Sequence, residues 1–538
     1  MNVRLLKLEK EFLKLYCAFH PVTSTSLGFA EHNGELADHD PRRIKNYLQD
    51  LSGIHRRLSL LRATKNVAAQ ERVDFTLLEN KILLEDKELT AFRPQHRDPS
   101  LYVSEILYGL WFLLVRPFSK EERLEGVLRR LHQVPALFSQ ARALLKNPPR
   151  VWVTIALHEV EGLLYFLKDC RDQLLRTYPK ARRELQKAFE KAQEEALAFK
   201  KYLKLELLKE AHGKFAVGKK DFDFLLRKYH GLSEDSGQIL KLGKEVFLET
   251  QELLQQTASQ IRKGVRWERV VDEIKKDHPG VKNLLKTYQA QVARTKRFIR
   301  EKKLVAIPAG ERLRVIETPA FARSTIPFAA YIDPPLFAED RTGTFFLTPV
   351  TASDPKTREA LLQEHCHASL AVTALHEGYP GHHLQFVYQA GISSPLRKIF
   401  NSSSYYEGWA LYCEEMMSES GFYDAPARLL QLKDRLWRAC RVIVDVGMHT
   451  QGMTDDEAVD FLSKNARMAK ASARADVNWY TQRPTVPLSY LTGMKKIMSL
   501  RDEAKKKWGE SFSLKKFHEW FLGFGAIPIP LIRGVLKS

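Results

Sequence analysis

The 538-residue sequence lacks features that define several large classes of protein. No run approaches the roughly 18 to 20 consecutive apolar residues that a membrane-spanning helix requires. The first residues mix charged and apolar side chains, without the apolar core and small-residue cleavage site of a secretory signal. We therefore expect a cytoplasmic protein with no membrane partner.

Cysteine is scarce as well. The five cysteines are odd in number and far apart, and no two form a Cys-x-x-Cys pair: Cys17, Cys170, Cys366, Cys413 and Cys440. This spacing excludes a disulfide framework and a zinc site made of thiolates. We expect each cysteine to be a small buried residue.

Acidic residues are outnumbered, since 65 Asp and Glu face 85 Lys and Arg, for a net charge of +20. A charge of this size raises the question of nucleic acid. The positive residues are nevertheless mixed with apolar residues at helical spacing in several segments, at 123–130, 219–228, 294–303 and 495–507. We interpret them as solvated helix faces and expect no nucleic-acid partner.

The first 300 residues are typical of consecutive helices, and the fold class is mainly α. Arg182–His212 is rich in strong helix formers, with Gly213 as the expected stop, and Thr287–Lys303 is a second charged helix. The Pro, Gly and Asn residues at 19–41 predict a loop between two helices.

The composition changes near Leu304. Prolines recur from there to residue 350, and short β-favouring runs predict a small sheet, at Leu313–Glu317, Pro327–Ile332 and Thr344–Thr348. Helix returns from Asp354. We predict an N-terminal helical lobe (1–300) and a catalytic lobe (301–538), the latter with the sheet (301–350) and the helices that carry the chemistry (354–470).

The segment TALHEGYPGHHLQ, at 373–385, carries the strongest functional signal. His376 followed by Glu377 begins like the helix of many zinc peptidases, in which a second histidine four residues after the first binds the same metal. Here that position is Pro380, which cannot bind a metal.

Two histidines follow at other spacings. In an undistorted helix His382 would lie about 120° from the face of His376, and His383 would share that face about 10.5 Å further along. Pro380 and Gly381 predict a bulge that brings His382 to the metal, because proline removes a helical hydrogen bond and glycine tolerates unusual dihedral angles. We favour His382 as the second ligand, with His383 as the alternative.

A third ligand is expected from the segment SYYEGWALYCEE, at 404–415. Glu407 lies there among aromatic and small residues, where an unpaired carboxylate would be costly to bury and a metal would remove that cost. Glu414 and Glu415 fit an exposed, charged pattern better. Two histidines, one glutamate and a water form an open zinc site, in which Glu377 is the general base rather than a ligand.

These segments, HEGYPGHHLQ and YYEGWALYCEE, resemble a bacterial family of unknown function whose members look like zinc metallopeptidases of the thimet-oligopeptidase and angiotensin-converting-enzyme type. The resemblance extends to HPVTSTSLGFAEHNGELADHDP, RACRVIVDVGMHTQGMTDDEAVDFL and FHEWFLGFGAIPIPLIR. It implies a large two-lobed, gluzincin-like helical shell around a deep channel, with zinc at its floor and the small sheet near the active site.

The resemblance also implies further site residues. Related enzymes place a tyrosine and a histidine where they can donate to an oxyanion, which points to Tyr490 and His449. Tyr490 would also contact the substrate, and a buried structural role remains the alternative for His449. The family usually has Pro-Gly-Gln before this tyrosine, whereas Thr485 and Val486 replace the glycine and glutamine here.

The roles of several neighbouring residues stay open. Arg441 either binds a substrate carboxylate or pairs with Asp445 one turn along the same helix, and we favour the pair. Asp445 is also a candidate to orient a ligand histidine from behind. We expect His365 and His367 to be structural. The strand Thr344–Thr348 either offers an open edge to a peptide or packs inside the sheet.

Three functions therefore compete. The first is a zinc metallopeptidase (a hydrolase) that cleaves short peptides, which we favour. The second is a zinc hydrolase of a non-peptide amide, since the motif specifies the attacking water but not the bond that is cleaved. The third is a non-catalytic basic binding protein, against which Glu377 argues. The sequence specifies neither the oligomeric state nor exo- against endopeptidase action.

Overall fold

The computed structural model describes residues 3–63, 68–320, 323, 326 and 328–538, and it shows a mainly helical chain with a small three-stranded sheet. The chain divides into two compact units. The first comprises Met1–Phe215, Pro319–Pro327 and Pro335–Asp340, and the second comprises Ala216–Thr318, Phe328–Pro334 and Arg341–Ser538. The change of composition near residue 300 thus lies inside the second unit.

The first unit is helical. Its helices are α1 (Val3–Phe19), α2 (Pro21–Leu27), α3 (Pro41–Ala63), α4 (Ala69–Lys87), α5 (Pro94–Arg97), α6 (Ser100–Val115), α7 (Lys120–Leu144), α8 (Arg150–Thr177) and α9 (Arg182–Leu205).

Two predictions in this unit are corrected. The segment 19–41, predicted as a loop, contains α2, which has Pro21 at its first turn and ends at Gly28 in the left-handed conformation (φ 99°). Helix α9 ends at Leu205 rather than before Gly213, because the chain turns there and buries Leu207. Gly213 instead forms an isolated bridge with Pro149.

The second unit holds the sheet and the remaining helices. Its strands are β1 (Arg312–Glu317), β2 (Ala329–Ile332) and β3 (Thr342–Leu347). Its helices are α10 (Gly218–Lys228), α11 (Ser236–Ile261), α12 (Trp267–Ile274), α13 (Leu284–Glu301), α14 (Pro355–Gln363), α15 (His367–Glu377), α16 (His382–Ala390), α17 (Pro395–Ile399), α18 (Ser403–Glu419), α19 (Ala425–Thr450), α20 (Asp455–Asn465), α21 (Lys470–Gln482), α22 (Ser489–Trp508), α23 (Leu514–Leu522) and α24 (Ile529–Lys537).

The three strands lie close to their predicted positions, although Pro327, the first residue of the second predicted strand, lies outside the described residues. β3 is the central strand, parallel to β1 and antiparallel to β2. Its Phe345, Phe346 and Leu347 are buried, as expected for the strand that packs on both sides. The strand 344–348 is therefore paired along both edges, and β1 and β2 are the edge strands.

The core of the second unit is built around α19, which is buried along almost all of its length. Helix α11 packs closely on it, because Gly243 leaves room for the side chain of Val442. Helices α18 and α22 also approach closely, through Gly408 and Gly493. Across the residues described, no helix combines the length and the apolar character that spanning a membrane requires.

Candidate metal centre

Three side chains from three helices converge at one point of the second unit. His376 lies in the last turn of α15, His382 is the first residue of α16, and Glu407 lies in α18. Glu407 Oε2 is 3.4 Å from His382 Nε2 and 3.9 Å from His376 Nε2, and one ligand atom from each residue lies within 4.8 Å of the others. The structure thus brings together the three residues that the sequence predicts as ligands.

A break between α15 and α16 produces this convergence. Helix α15 ends at Glu377, and α16 begins at His382 after a turn that contains a cis peptide bond before Pro380. A Cβ at Gly381 would lie 2.6 Å from the carbonyl carbon of His376, so the turn requires glycine. Trp409 of α18 donates from Nε1 to the carbonyl of Pro380 (2.8 Å) and holds the turn.

The ring of His376 is oriented from behind by Glu414. Its Nδ1 donates to Glu414 Oε1 at 2.8 Å, which leaves Nε2 as the nitrogen that faces Glu407. Glu414 is completely buried, so the prediction that it is exposed is wrong. The signal that could have found it is helical spacing, since Glu414 follows Glu407 by seven residues, two turns along the same face of α18.

The histidines and carboxylates of the cluster stabilise one another's charged forms. Burial favours the neutral forms, but the neighbouring carboxylates, Glu407 first, raise the pKa of His382 above its ordinary value. The two histidines and a hydrogen bond from Tyr490 lower the pKa of Glu407 despite its burial. His382 Nδ1 is buried without a hydrogen-bond partner in the part of the chain that the structure describes.

The three residues fit a zinc ion. Zinc binds histidine nitrogen and carboxylate oxygen at about 2.0 to 2.2 Å, so tetrahedral ligand atoms lie roughly 3.3 to 3.5 Å apart. The two separations to Glu407 Oε2, 3.4 and 3.9 Å, are close to this value, and all three ligand atoms lie within 4.8 Å of one another. A histidine whose other nitrogen donates to a carboxylate, as His376 does to Glu414, is the usual metal-binding arrangement.

His383, the alternative second ligand, is turned toward other partners. Its Nε2 donates to Glu311 at 2.7 Å, and its Nδ1 accepts from the hydroxyl of Tyr331 in β2 at 3.1 Å. Although burial opposes the charge of Glu311, hydrogen bonds from His383, Lys296 and Tyr379 lower the pKa of its carboxyl to about 2. His383 thus connects α16 to β2 and to the loop before β1 through hydrogen bonds.

Glu377 and Tyr490 border the three-residue cluster. Glu377 is partly exposed, directly follows His376, and contributes its charge to the raised pKa of His382. Tyr490, at the start of α22, donates its hydroxyl to Glu407, and burial together with the charge of Glu407 raises the pKa of Tyr490. Both residues therefore interact with members of the cluster.

The comparisons with known proteins concern the whole chain. Residues 21–536 match a family model described as a bacterial protein of unknown function, DUF885. The chain belongs to the DUF885 family. No curated protein matches the chain.

Two solved structures resemble this DUF885 chain closely in fold. A protein from Shewanella oneidensis, provisionally described as a lipoprotein of unknown function, is 21% identical with a TM-score of 0.81, and the match covers 99% of this chain and 100% of the other. A protein from Colwellia psychrerythraea, provisionally described as a lipoprotein, is 17% identical with a TM-score of 0.81, covering 99% and 98%. At these identities the likeness concerns the fold.

The remaining predicted residues of this DUF885 member have other partners. Arg441 donates from Nε to Tyr480 at 2.8 Å, lies 3.5 Å from Asp476, and stacks over Trp437 at 3.9 Å. The favoured pairing of Arg441 with Asp445 is thus corrected. The guanidinium of Arg441 instead lies over the ring of Tyr490, 4.7 Å from its centre, and so contacts a residue that borders the cluster.

Asp445 and His449 belong to the core beside α22. Asp445 accepts from the backbone nitrogens of Thr485 and Leu488 at 3.3 and 3.2 Å, and burial raises its pKa well above the ordinary value. His449 Nε2 donates to the carbonyl of Tyr480 at 3.0 Å, and burial lowers its pKa to about 4. Glu414, rather than Asp445, is the carboxylate bonded to a histidine predicted as a ligand, His376.

His365 and His367 differ in their surroundings. His365 is buried, accepts from the hydroxyl of Tyr288 at 3.0 Å and stacks on Phe328. His367 is exposed and lies 4.0 Å from Asp277. These contacts account for both residues without the metal centre.

Proposed function

We propose that this chain is a zinc-dependent metallopeptidase that hydrolyses short peptides. The observation that carries the proposal is the convergence of His376, His382 and Glu407, with Glu414 behind the first histidine and Glu377 beside it. A donor set of two imidazoles and one carboxylate is that of a catalytic rather than a structural zinc site. The gluzincin-like architecture with a deep channel is part of the same proposal.

His376, His382 and Glu407 would hold a zinc ion, which would supply the Lewis acidity to lower the pKa of a water molecule and to polarise the peptide carbonyl. Glu377 accepts the proton of that water and transfers it to the amine that leaves. Glu414 keeps His376 in the tautomer whose Nε2 faces the ligand cluster. Tyr490, which donates its hydroxyl to Glu407, would assist an oxyanion. His449 has no part in it, because its Nε2 is bonded to a backbone carbonyl.

The test combines zinc content with cleavage of a mixed library of short peptides. The wild type is expected to hold about one zinc per chain and to cleave peptides. Glu377→Gln should keep the zinc and lose about 10²- to 10⁴-fold in rate, whereas Glu301→Gln, at the exposed end of α13, should change neither. His382→Ala should lose the zinc.

The possible failures differ in meaning. A wild type that binds zinc and cleaves no peptide would leave a hydrolase of non-peptide amides as the second function to test. A wild type that binds no zinc would refute the proposal.

The cellular location and the partners of the protein are also proposed rather than shown. We propose that it acts in the cytoplasm on peptides, without a membrane or nucleic-acid partner. Because two solved relatives are described as lipoproteins, fractionation of cells that carry the full-length gene is the measurement that decides this. Recovery in the membrane fraction would refute the cytoplasmic location without affecting the zinc site.

A further inference from the structure

A row of aromatic rings leads away from the candidate metal centre. It consists of Tyr331, Phe386 and Tyr406, and all three side chains are partly exposed. The ring centres of Phe386 and Tyr406 lie 6.2 and 6.1 Å from that of His382 and 6.1 Å from each other. Tyr331 continues the row, stacked at 6.0 Å from Phe386.

The fold holds this aromatic row in place. Phe386 lies one turn after His382 on α16, and Tyr406 directly precedes Glu407 on α18, so both rings are carried by ligand-bearing helices. Tyr331 is held through its hydroxyl, which donates to His383 Nδ1. Gly343 of β3 leaves the space for that hydrogen bond, since a Cβ there would lie 2.6 Å from His383 Nδ1. Rings held in this way lose little freedom when a ligand binds.

We propose that the aromatic row is a subsite for an aromatic or large aliphatic side chain of the bound peptide, next to the bond that is cleaved. A substrate residue beside a carbonyl held at the cluster lies about 3.5 Å further along the peptide, which brings its side chain against these rings. Aromatic rings favour centre-to-centre distances of about 4.5 to 7 Å, the spacing already present in the row. The substrate class, though not the binding itself, rests on the proposed function.

Binding rather than cleavage tests the subsite. The Glu377→Gln protein, loaded with zinc, is titrated calorimetrically with tetraalanine and with the four peptides that carry one phenylalanine in its place. At least one phenylalanine peptide should bind about 10-fold more tightly than tetraalanine. Adding Phe386→Ala should reduce this preference to less than about 2-fold, and adding Phe386→Leu, which keeps an apolar side chain, should reduce it only in part.

The matched control is Phe298→Ala in the same background. Phe298 is also partly exposed and in the second unit, but it packs on Phe422, at 5.0 Å, rather than in the row. This variant should keep the full preference. Equal affinity for all five peptides, or an equal loss in the Phe298 variant, would overturn the subsite.

Wild-type cleavage, measured separately, distinguishes the two proposals. A phenylalanine preference in binding without any cleavage would support the subsite and refute the peptidase. Cleavage without any phenylalanine preference in binding would support the peptidase and overturn the subsite.

Discussion

The carboxylate of Glu414 decides which nitrogen of His376 faces the ligand cluster. Because Nδ1 carries the proton donated to Glu414, Nε2 presents its lone pair on the side of Glu407. The negative charge of Glu414 also makes the imidazole a stronger donor to a metal. Its effect should therefore appear in the affinity for zinc.

We predict that Glu414→Gln weakens zinc binding by about 10- to 100-fold, since the variant keeps the size of the side chain but removes its charge. Zinc affinity is measured by competition with a chromogenic chelator. Glu415→Gln is the control, because the neighbouring Glu415 bonds Arg428 instead. Equal affinities in the two variants would contradict the role assigned to Glu414.

Single residues also show where sequence reasoning ends. The cluster of His376, His382 and Glu407 could be predicted, because a metal site restricts residue types and spacing. Helical spacing places Glu414 on the same face of α18 as Glu407, but neither spacing nor composition shows that tertiary packing buries Glu414 completely. The sequence showed the chemical type of this side chain but not its burial.

Thr485 gives a second example. Its φ is +68°, in the left-handed region that a β-branched residue rarely adopts and that glycine adopts without strain. Two contacts hold the conformation, from the ring of His230 to the threonine hydroxyl (3.0 Å) and from the backbone nitrogen to Asp445 (3.3 Å). The sequence alone could not show this conformation, because the contacts that hold it come from residues distant in the chain.

At the scale of elements, the close approach of α18 and α22 sets the distance between Glu407 and Tyr490. A Cβ at Gly493 would lie 2.8 Å from Gly408 Cα and still closer to the carbonyl oxygen of Ser404. No larger residue fits between the two helix backbones. The pair of glycines therefore positions the tyrosine on the carboxylate.

We predict that Gly493→Ala destabilises the protein by about 1 to 3 kcal/mol, because α22 must move away from α18. Denaturant unfolding followed by circular dichroism measures the change. Gly162→Ala is the matched control, since Gly162 also lies within a helix but nothing surrounds its would-be Cβ within 4 Å. That variant should gain about 0.5 to 1 kcal/mol from helix propensity. A neutral Gly493→Ala would show that the two helices separate without cost.

In the sheet, the positions of the strands depend on neighbouring residues, whereas their order does not. Short runs of β-favouring residues predicted the three strands, because propensity is a property of a few neighbours. The order of the strands, with β3 between the edges, depends on pairing between segments about 30 residues apart and could not be read from those runs. The same limit explains α9, whose end depends on where Leu207 is buried.

For the whole molecule, the division into compact units follows contacts rather than composition. Residues 216–300 share the helical composition of the first 215 but belong to the unit that carries the candidate site. Helix α11, for example, lies before the change in composition and packs on α19. Composition marks the start of the sheet region, whereas the unit boundary depends on which helices share a core.

The last prediction concerns the stability of the whole chain. A ligand that binds only the folded state stabilises it by RT ln(1 + [L]/Kd), about 2.7 kcal/mol at a hundredfold excess over Kd. The proposed ligands come from α15, α16 and α18, so we expect them to gather around one ion only in the folded chain. We predict that zinc raises the melting temperature by a few degrees, as expected for this free energy in a large protein, and that a chelator reverses the rise.

Variants separate this effect from unspecific binding of zinc. Differential scanning calorimetry should show the full rise in Glu377→Gln, because Glu377 is a base rather than a ligand. The rise should be absent in His382→Ala, which removes a ligand. Magnesium, which prefers six oxygen ligands, should cause none. A rise that persists in His382→Ala would place the zinc elsewhere on the chain, and the assignment of the metal centre would then be wrong.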